Sequence, residues 1–466
     1  MEMLSCDLDR ESETPLYEQL YTYIKTEIME ARIPYQTKLP SKRKLSEFLN
    51  ISQNTIETAY EQLVAEGYVE GIPRKGYFVL AYEDLEYVQP TNRTSGQLDQ
   101  SVQRIRYNFH PSWIDTENFP FATWRKYTKN IIDHENHSLL LMGDRQGEFT
   151  LREEIANYLY QARGVHCSPD EVIVGAGIEI LLQQLILLLG DNVAYGVEDP
   201  GYHVISRILQ HYPNEVWPLA VDERGVEVDT LDGAAINVVY VTPSHHFPYG
   251  SVLSANRRIK LLNWAAERDD RYIIEDDYDS EFRYSGKSIP SLQSMDQRRK
   301  VIYLGTFSKS LIPSIRISYM VLPKRLLEQY KEKLSFFQST VSRIDQHIVA
   351  QFMKEGDFEK HLNRMRKVYR RKMEKTLGLL KLYKEKLEVV SDLSGFHVVL
   401  EIKNGMSEGE LLDKAQEAQI KIYPLSTYIM EKKYESSPRI VLGFAGIPER
   451  ELEEAIKLLL QSWEIL

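Results

Sequence analysis

The feature that most constrains the fold is a long alternation of short β-branched runs with helical stretches, which begins near residue 107. The β-branched runs lie at 172–174, 192–195, 236–241, 272–274, 301–304 and 317–322. Several of them end directly in polar segments that contain glycine or proline. Strands that alternate with helices predict a mainly parallel sheet, and ligands of such sheets bind at the carboxyl ends of the strands. We therefore predict an α/β domain over residues 107–466, with its site at those strand ends.

Residues 1–80 have a different pattern, which predicts short helices followed by a hairpin. Apolar residues recur at every fourth position of the first helix, at Leu16, Leu20, Ile24 and Ile28. Ser41 opens a second, short helix and Ser52 caps a third, while Asn50 between them suits a left-handed C-terminal stop. Residues on both sides of a turn at 71–75 are typical of strands. This order of elements predicts a winged helix-turn-helix whose third helix enters the major groove of DNA.

The candidate DNA-contacting residues fall on two helices and on the turn of the hairpin. They are Lys42, Arg43, Lys44, Ser52, Gln53, Asn54, Thr55, Arg74 and Lys75. Glutamine and asparagine can pair with adenine edges and threonine can contact a thymine methyl, whereas basic clusters suit phosphate contacts. The alternative interpretation is a small helical module with solvated lysines, because residues 1–80 contain 9 basic and 13 acidic residues.

Composition limits the remaining possibilities. The net charge is −11, so a nucleic-acid contact must come from a local basic patch. Two cysteines, Cys6 and Cys167, exclude a disulfide framework and favour a reducing cytoplasm. The most apolar stretch, 178–189, is interrupted by Glu179 and is too short to span a bilayer, so we expect no contact with membranes. Residues 81–106 are polar and lack a sustained period, which predicts a linker.

A lysine-centred motif follows the strand predicted at 301–304. Thr306 and Ser308 precede Lys309, and Arg316 stands seven residues after the lysine. This arrangement suits a phosphorylated aldehyde, because the lysine can form an imine while the hydroxyls and the arginine hold the phosphate. Ser-Lys-Ser also occurs by chance in loops, so this motif is weak by itself.

Three other segments at predicted strand ends supply what such a cofactor needs. Asp276 would keep a pyridine nitrogen protonated by charge pairing, and Tyr278 can hydrogen-bond the ring oxygen. Gly177 and Ile178 open a helix whose backbone N–H groups can approach a phosphate, and Tyr202 can stack on the ring. The alternatives are an acidic loop and a tight strand–helix turn. A metal site is disfavoured because histidines are not clustered nearby.

The two halves resemble known families. The segments 39–45, 52–56, 63–68 and 76–79 closely resemble the GntR-family DNA-binding domain, which usually has arginine where Gln53 stands. In chain order, the cofactor segments resemble fold-type I pyridoxal-phosphate enzymes, and most closely the MocR branch of GntR regulators. The resemblance covers essentially the whole chain. It implies a winged helix-turn-helix, an aminotransferase-like domain with a smaller C-terminal α+β subdomain, and a homodimer.

The resemblance also implies roles for individual residues. Lys309 would hold pyridoxal 5'-phosphate as an aldimine, Asp276 would face the ring nitrogen, Tyr278 the ring oxygen, and Tyr202 would stack. The residues around the phosphate would be Gly177, Ile178, Thr306, Ser308 and Arg316. A C-terminal arginine usually receives the carboxylate of the ligand, and Arg439 is the candidate, with Arg207 as a second one.

Two positions depart from what aminotransferases usually contain. Phe247 stands where these enzymes have an asparagine that hydrogen-bonds the ring oxygen, which lowers the expectation of efficient transamination. Met142 stands where a tyrosine of the partner subunit often reaches the phosphate. We therefore expect a transcription regulator that senses a small amino compound through aldimine chemistry. A working aminotransferase with an appended DNA-binding domain, and a sensor of pyridoxal phosphate that controls vitamin B6 synthesis, remain as alternatives.

Overall fold

The computed structural model describes residues 6–80, 105–284, 289–391, 394–431 and 437–466. The chain divides into two compact units, Met1–Ser101 and Val102–Leu466. All but the last two residues of the predicted linker, 81–106, lie outside the described residues. Arg106 is already joined to the second unit, because its backbone N–H donates to the carbonyl of Gln419 at 2.7 Å.

The first unit consists of three helices and a hairpin. They are α1 (Leu16–Met29), α2 (Lys42–Leu49), α3 (Gln53–Ala65), β1 (Val69–Ile72) and β2 (Gly76–Val79). The side chain of Ser52 accepts a hydrogen bond from the backbone N–H of Thr55, and Asn50 has a φ of 50°, so the predicted cap and left-handed stop are confirmed. Leu20, Ile24 and Tyr60 are buried in the core between the helices. This unit is the predicted winged helix-turn-helix.

An eight-stranded sheet organises the second unit. Its strands are β4 (Val172–Gly175), β5 (Ala194–Asp199), β6 (Glu215–Asp222), β7 (Gly225–Val226), β8 (Val238–Val241), β9 (Tyr272–Asp277), β10 (Val301–Thr306) and β11 (Ser318–Val321). The strand order is β4-β11-β10-β9-β8-β5-β6-β7. The five strands from β10 to β6 are mutually parallel, whereas β11 is antiparallel to β10 and β4, and β7 to β6. The mainly parallel sheet predicted from the sequence is therefore confirmed.

Both faces of this sheet are covered. The helices of the large subdomain are α4 (Phe121–Ile131), α5 (Phe149–Arg163), α6 (Ile178–Leu189), α7 (His203–Gln210), α8 (Ala255–Ala266), α9 (Phe307–Ser310), α10 (Lys324–Lys333), α11 (Arg343–Lys354) and α12 (Asp357–Leu380). Val172 and Val174 of β4 join one apolar cluster, and Ile173 between them joins another. Successive residues of a strand point to opposite faces, so continuous apolar runs are what a sheet with two buried faces requires.

A smaller C-terminal part completes the second unit. Its elements are β12 (Leu387–Val389), β13 (His397–Ile402), α13 (Glu408–Glu417), β14 (Ile420–Lys421), β15 (Tyr423–Pro424), β16 (Arg439–Gly443) and α14 (Leu452–Ser462). Strands β12-β13-β16-β15 form an antiparallel sheet, and β14 pairs in parallel with β3 (Tyr107–Asn108). This part is the predicted α+β subdomain. Within the described ranges, no helix is long and apolar enough to cross a membrane.

Candidate functional site

A cleft of about 320 Å³ lies where β9 and β10 end, which is the edge predicted for the site. All nine residues predicted to bind the cofactor line this cleft: Gly177, Ile178, Tyr202, Asp276, Tyr278, Thr306, Ser308, Lys309 and Arg316. The other lining residues are Pro111, Ser112, Trp113, Glu179, Thr242, Phe247, Pro313, Ser318 and His397. Because the carboxyl ends of parallel strands meet at one edge, residues more than a hundred positions apart come together here.

Asp276 supplies the anionic end of the cleft. It is 5% exposed in β9, and one carboxylate oxygen accepts a hydrogen bond from the hydroxyl of Tyr240. The other oxygen, Oδ1, is buried and has no hydrogen-bond partner within the part of the chain that the structure describes. Burial raises the pKa of Asp276 to about 7. A protonated ring nitrogen placed against Oδ1 would donate a hydrogen bond to it and would stabilise the ionised form of the carboxylate.

Lys309 supplies the nucleophile. The side chain of Thr306 accepts a hydrogen bond from the N–H of Ser308 at 3.1 Å and thereby starts α9, which carries the lysine. The Nζ of Lys309 donates to the carbonyl of Ser112 at 2.7 Å. Burial lowers the pKa of Lys309 to about 8. An amine with a lowered pKa is neutral more often near pH 7, and only the neutral amine attacks a carbonyl group.

Gly177 and Arg316 form a corner of the cleft at the start of α6. Gly177 has a φ of +100°, a conformation that strongly favours glycine, and a Cβ there would require the guanidinium of Arg316 to shift. Arg316 is itself left-handed, with a φ of 52°. Its Nη2 lies 2.7 Å from Oε2 of Glu179 in the first turn of α6. In the sequence, Glu179 is visible only as a polar interruption of an apolar stretch.

Tyr278 belongs to a buried polar chain. Its hydroxyl lies 3.1 Å from Nδ1 of His245, and the same nitrogen lies 2.9 Å from the carboxylate of Asp279. His397 enters the cleft from β13, and burial lowers its pKa to about 3, so its ring is neutral. Its Nε2 lies 2.8 Å from the carbonyl oxygen of Pro248. No local motif marks His397, because it reaches the site only through the packing of the C-terminal subdomain.

Aromatic side chains line the remainder of the cleft. Tyr202 precedes α7, and its ring meets that of Phe247 edge-on with centroids 6.0 Å apart. Phe247 also packs against Tyr428 and His397. The phenyl group of Phe247 has no hydrogen-bond donor, so it cannot replace the asparagine that aminotransferases usually have at this position.

Two predicted ligand-binding arginines lie elsewhere. Arg439 begins β16 opposite Glu401 of β13, and the two side chains form an ion pair at 3.0 Å. Its Nη1 also donates to the hydroxyl of Tyr249 at 3.2 Å. Arg207 is exposed on α7. Neither arginine is among the described residues that line the cleft, so their proposed contact with a ligand carboxylate is not supported by this geometry.

In the winged helix-turn-helix, the predicted residues differ in their availability. Gln53 and Asn54 are exposed at the start of α3. The Oγ of Ser52 is occupied in capping α3, and it also lies 2.8 Å from the hydroxyl of Thr55. A capping hydroxyl stabilises the helix itself, so it is less available for DNA.

The basic residues of this unit also differ in their contacts. Lys42 is paired with Glu57 of α3, and Arg43 with Glu47 at 3.0 Å. Three more cations, Lys44, Arg74 and Lys75, are exposed. No described residue forms an ion pair with these three, so the tip of the hairpin and one position of α2 present cations that can reach phosphates without first leaving an acidic partner.

The fold and the cleft define a class of protein in which one chain contains a DNA-binding domain and an aminotransferase-like domain. Residues 114–459 match the family described as aminotransferase class I and II, and residues 16–79 match the bacterial regulatory proteins of the gntR family. A multiple substrate aminotransferase from Thermococcus profundus has the same fold, with a TM-score of 0.69 and 24% identity; the match covers 78% of this chain and 92% of that one.

Similar sequences identify the branch. The chain is 44% identical to the uncharacterized HTH-type transcriptional regulator YdeL of Bacillus subtilis, across 98% of this chain and 99% of that protein. It is 31% identical to the probable rhizopine catabolism regulatory protein MocR of Rhizobium meliloti, across 97% and 94%. The chain therefore belongs to the MocR branch of the GntR family of transcription regulators, as the motifs predicted.

Pyridoxal phosphate is the cofactor of this class. Three features of the cleft fit this cofactor: the Lys309 amine, the glycine corner beside Arg316, and the Oδ1 of Asp276, which no group in the described ranges hydrogen-bonds.

Proposed function

We propose that this regulator uses pyridoxal phosphate to sense a small amino compound and that the sensing event changes its affinity for operator DNA. The observation that carries the proposal is the convergence on one cleft of Lys309 and of the Oδ1 of Asp276, which has no hydrogen-bond partner among the described residues, in a chain that also has a DNA-binding domain. A purely structural role would not require a buried carboxylate oxygen that the described part of the chain leaves unpaired, because such an atom is costly to bury.

The chain's own residues have distinct tasks in this proposal. When bound, pyridoxal phosphate supplies an aldehyde that condenses with amines and a ring that withdraws electrons. Lys309 would bond to the aldehyde carbon, and Asp276 would accept a hydrogen bond from the protonated ring nitrogen. Tyr278 would donate a hydrogen bond to the ring oxygen, and Tyr202 would pack against the ring. The residues proposed to bind the phosphate are Gly177, Ile178, Thr306, Ser308 and Arg316.

The DNA interface follows from exposure and charge. Gln53, Asn54 and Thr55 are proposed to read base edges in the major groove. Residues proposed to hold the DNA backbone are Lys42, Arg43, Lys44, Ser52, Arg74 and Lys75. Lys42 is paired with Glu57, and Arg43 with Glu47. Each must leave its acidic partner to bind a phosphate, so we expect both to contribute less to the free energy of DNA binding than the other three cations. Because operator DNA lies in the bacterial cytoplasm, we propose that the protein acts there.

A homodimer is proposed from an exposed apolar surface. Leu140, Leu141 and Met142 precede α5 and are 79%, 70% and 77% exposed. Consecutive large apolar side chains at this exposure are typical of a protein interface. We propose that a second copy of this chain covers them. Sedimentation should give the mass of a dimer for the wild type and of a monomer after Leu141→Glu.

One relative favours a second candidate function, the sensing of pyridoxal phosphate itself. The chain is 32% identical over 78% of its length to the HTH-type pyridoxine biosynthesis transcriptional regulator PdxR of Corynebacterium glutamicum. The deciding experiment uses a DNA fragment that the protein selects from a random pool. Amines that change the affinity of the cofactor-loaded protein for this fragment would support the amine sensor. A difference between the cofactor-free and loaded forms, with no response to amines, would support the second candidate.

A further inference from the structure

The proposed phosphate site contains an anion of the chain's own. Glu179 and Arg316 both line the cleft, and they form an ion pair of 2.7 Å across Gly177. A Cβ on Gly177 would come too close to both side chains, so the pair lies directly over the backbone at this corner. Arg316 also donates to the carbonyl of Ala176 at 3.4 Å. Both contacts engage the same guanidinium nitrogen, Nη2, of Arg316.

A neighbouring backbone donor is engaged in the same way. The N–H of Ala176, which directly precedes Gly177, donates to the hydroxyl of Thr340 at 2.9 Å. Two donors at this corner that suit a phosphate, the Nη2 of Arg316 and the N–H of Ala176, thus already have partners within the chain. A phosphate that binds Nη2 must displace the carboxylate of Glu179, and a phosphate that binds another nitrogen of the guanidinium still lies close to that carboxylate. Like charges repel at such distances, so Glu179 opposes phosphate binding in either arrangement.

We propose that Glu179 is an internal competitor for the phosphate of the cofactor. The proposal rests on the assignment of Arg316 to the phosphate. The carboxylate of Glu179 pairs with the same guanidinium that is proposed to hold the phosphate, so the two anions compete for one cation. Glu179 thereby sets the concentration of pyridoxal phosphate at which the regulator passes from its free to its loaded form.

The test compares Glu179→Gln with the wild type, both freed of cofactor. Glutamine keeps the length of the side chain and removes its charge. Each protein is titrated with pyridoxal phosphate, with pyridoxal and with inorganic phosphate, and binding is followed by tryptophan fluorescence, since Trp113 lines the cleft. We expect the Kd for pyridoxal phosphate to fall about three- to tenfold, which corresponds to about 0.7–1.4 kcal/mol. The Kd for inorganic phosphate should fall too, and that for pyridoxal should not change.

The matched control is Glu223→Gln, which removes the same charge from an exposed residue in the turn between β6 and β7. It should bind all three probes as the wild type does. An equal change for pyridoxal and pyridoxal phosphate, or no change for either, would overturn the proposal. If the glutamine variant does not fold, the same titrations are carried out on Glu179→Ala, which also removes the charge. A wild-type protein that binds neither vitamer would refute the cofactor assignment itself, whereas normal binding without an effect at position 179 would refute only the competition.

Discussion

Burying the carboxyl group of Asp276 has two expected consequences, tighter binding of the cofactor and lower stability of the folded protein. Replacing Asp276 with asparagine tests both. Asparagine has the same size and still offers an oxygen to the hydroxyl of Tyr240, so the variant leaves that donor satisfied. It removes the negative charge that we propose for the ring nitrogen of the cofactor. A hydrogen bond to a charged group contributes roughly 1.5–3 kcal/mol, so we expect the Kd for pyridoxal phosphate to rise about 10- to 150-fold.

The same substitution should stabilise the cofactor-free protein. Burial raises the pKa of Asp276 from 3.8 to about 7, so folding binds a proton that the unfolded chain releases above pH 4. For an acid with a raised pKa, stability is lost as pH rises from the unfolded to the folded value, and the loss is complete above the folded value. At about 1.4 kcal/mol per pKa unit, the loss is about 2 kcal/mol at pH 5 and about 4 kcal/mol at pH 8.

Urea unfolding of both proteins at pH 5 and pH 8 measures this effect. The free energy of unfolding of Asp276→Asn should exceed that of the wild type, and the excess should grow by about 2–3 kcal/mol from pH 5 to pH 8. Glu275, another buried acid with a raised pKa, is common to both proteins and cancels in the difference. The charge of Asp276 helps to raise the pKa of Glu198, so its removal adds to the difference in the same direction. An unchanged affinity for pyridoxal phosphate would refute the role of Asp276 at the ring. A stability difference between the two proteins that does not depend on pH would refute the claim that burial raises the pKa of Asp276.

Three further predictions concern other residues. Borohydride treatment of the loaded protein should attach the cofactor to the peptide that contains Lys309, and peptide mapping that finds the label on a different lysine would contradict the assignment. Lys44→Ala should weaken binding to all DNA sequences, with a salt slope shallower by about one, whereas Asn54→Ala should change sequence preference; binding assays that leave both variants equal to the wild type would contradict the interface. Arg439→Gln should reduce stability by about 0.2–1 kcal/mol through the loss of its pair with Glu401, without changing cofactor affinity in the fluorescence titration; an altered cofactor affinity would instead place the arginine at the cleft.

The sequence predicted the cofactor cleft because its residues lie at strand ends. Each motif follows an apolar run, and a parallel sheet brings the ends of such runs to one edge, so the strand pattern predicted that Lys309, Asp276 and Gly177 lie together. Their individual roles came from the resemblance to the family. The caps of the winged helix-turn-helix were predictable for a similar reason. A cap depends on the few residues around Ser52 and Asn50 and on nothing distant.

Contacts set by distant packing were not predictable in this way. The resemblance implies a C-terminal arginine for the ligand carboxylate, which made Arg439 a candidate, but its register opposite Glu401 depends on how β13 and β16 pair. His397 reaches the cleft from the same small sheet. Glu179 was visible in the sequence as a polar residue in an apolar stretch, yet its partner, Arg316, lies far along the chain.

The central claim is that chemistry in the cleft controls DNA affinity, and one titration tests it most directly. Amines are added to the cofactor-loaded protein while cofactor absorbance, affinity for the selected DNA fragment and product formation are followed together. We predict that one amine changes the absorbance and shifts DNA affinity at least about fivefold, a coupling of roughly 1 kcal/mol, with little or no product. Turnover on the order of 10 per second at constant DNA affinity would contradict the claim and identify a working aminotransferase.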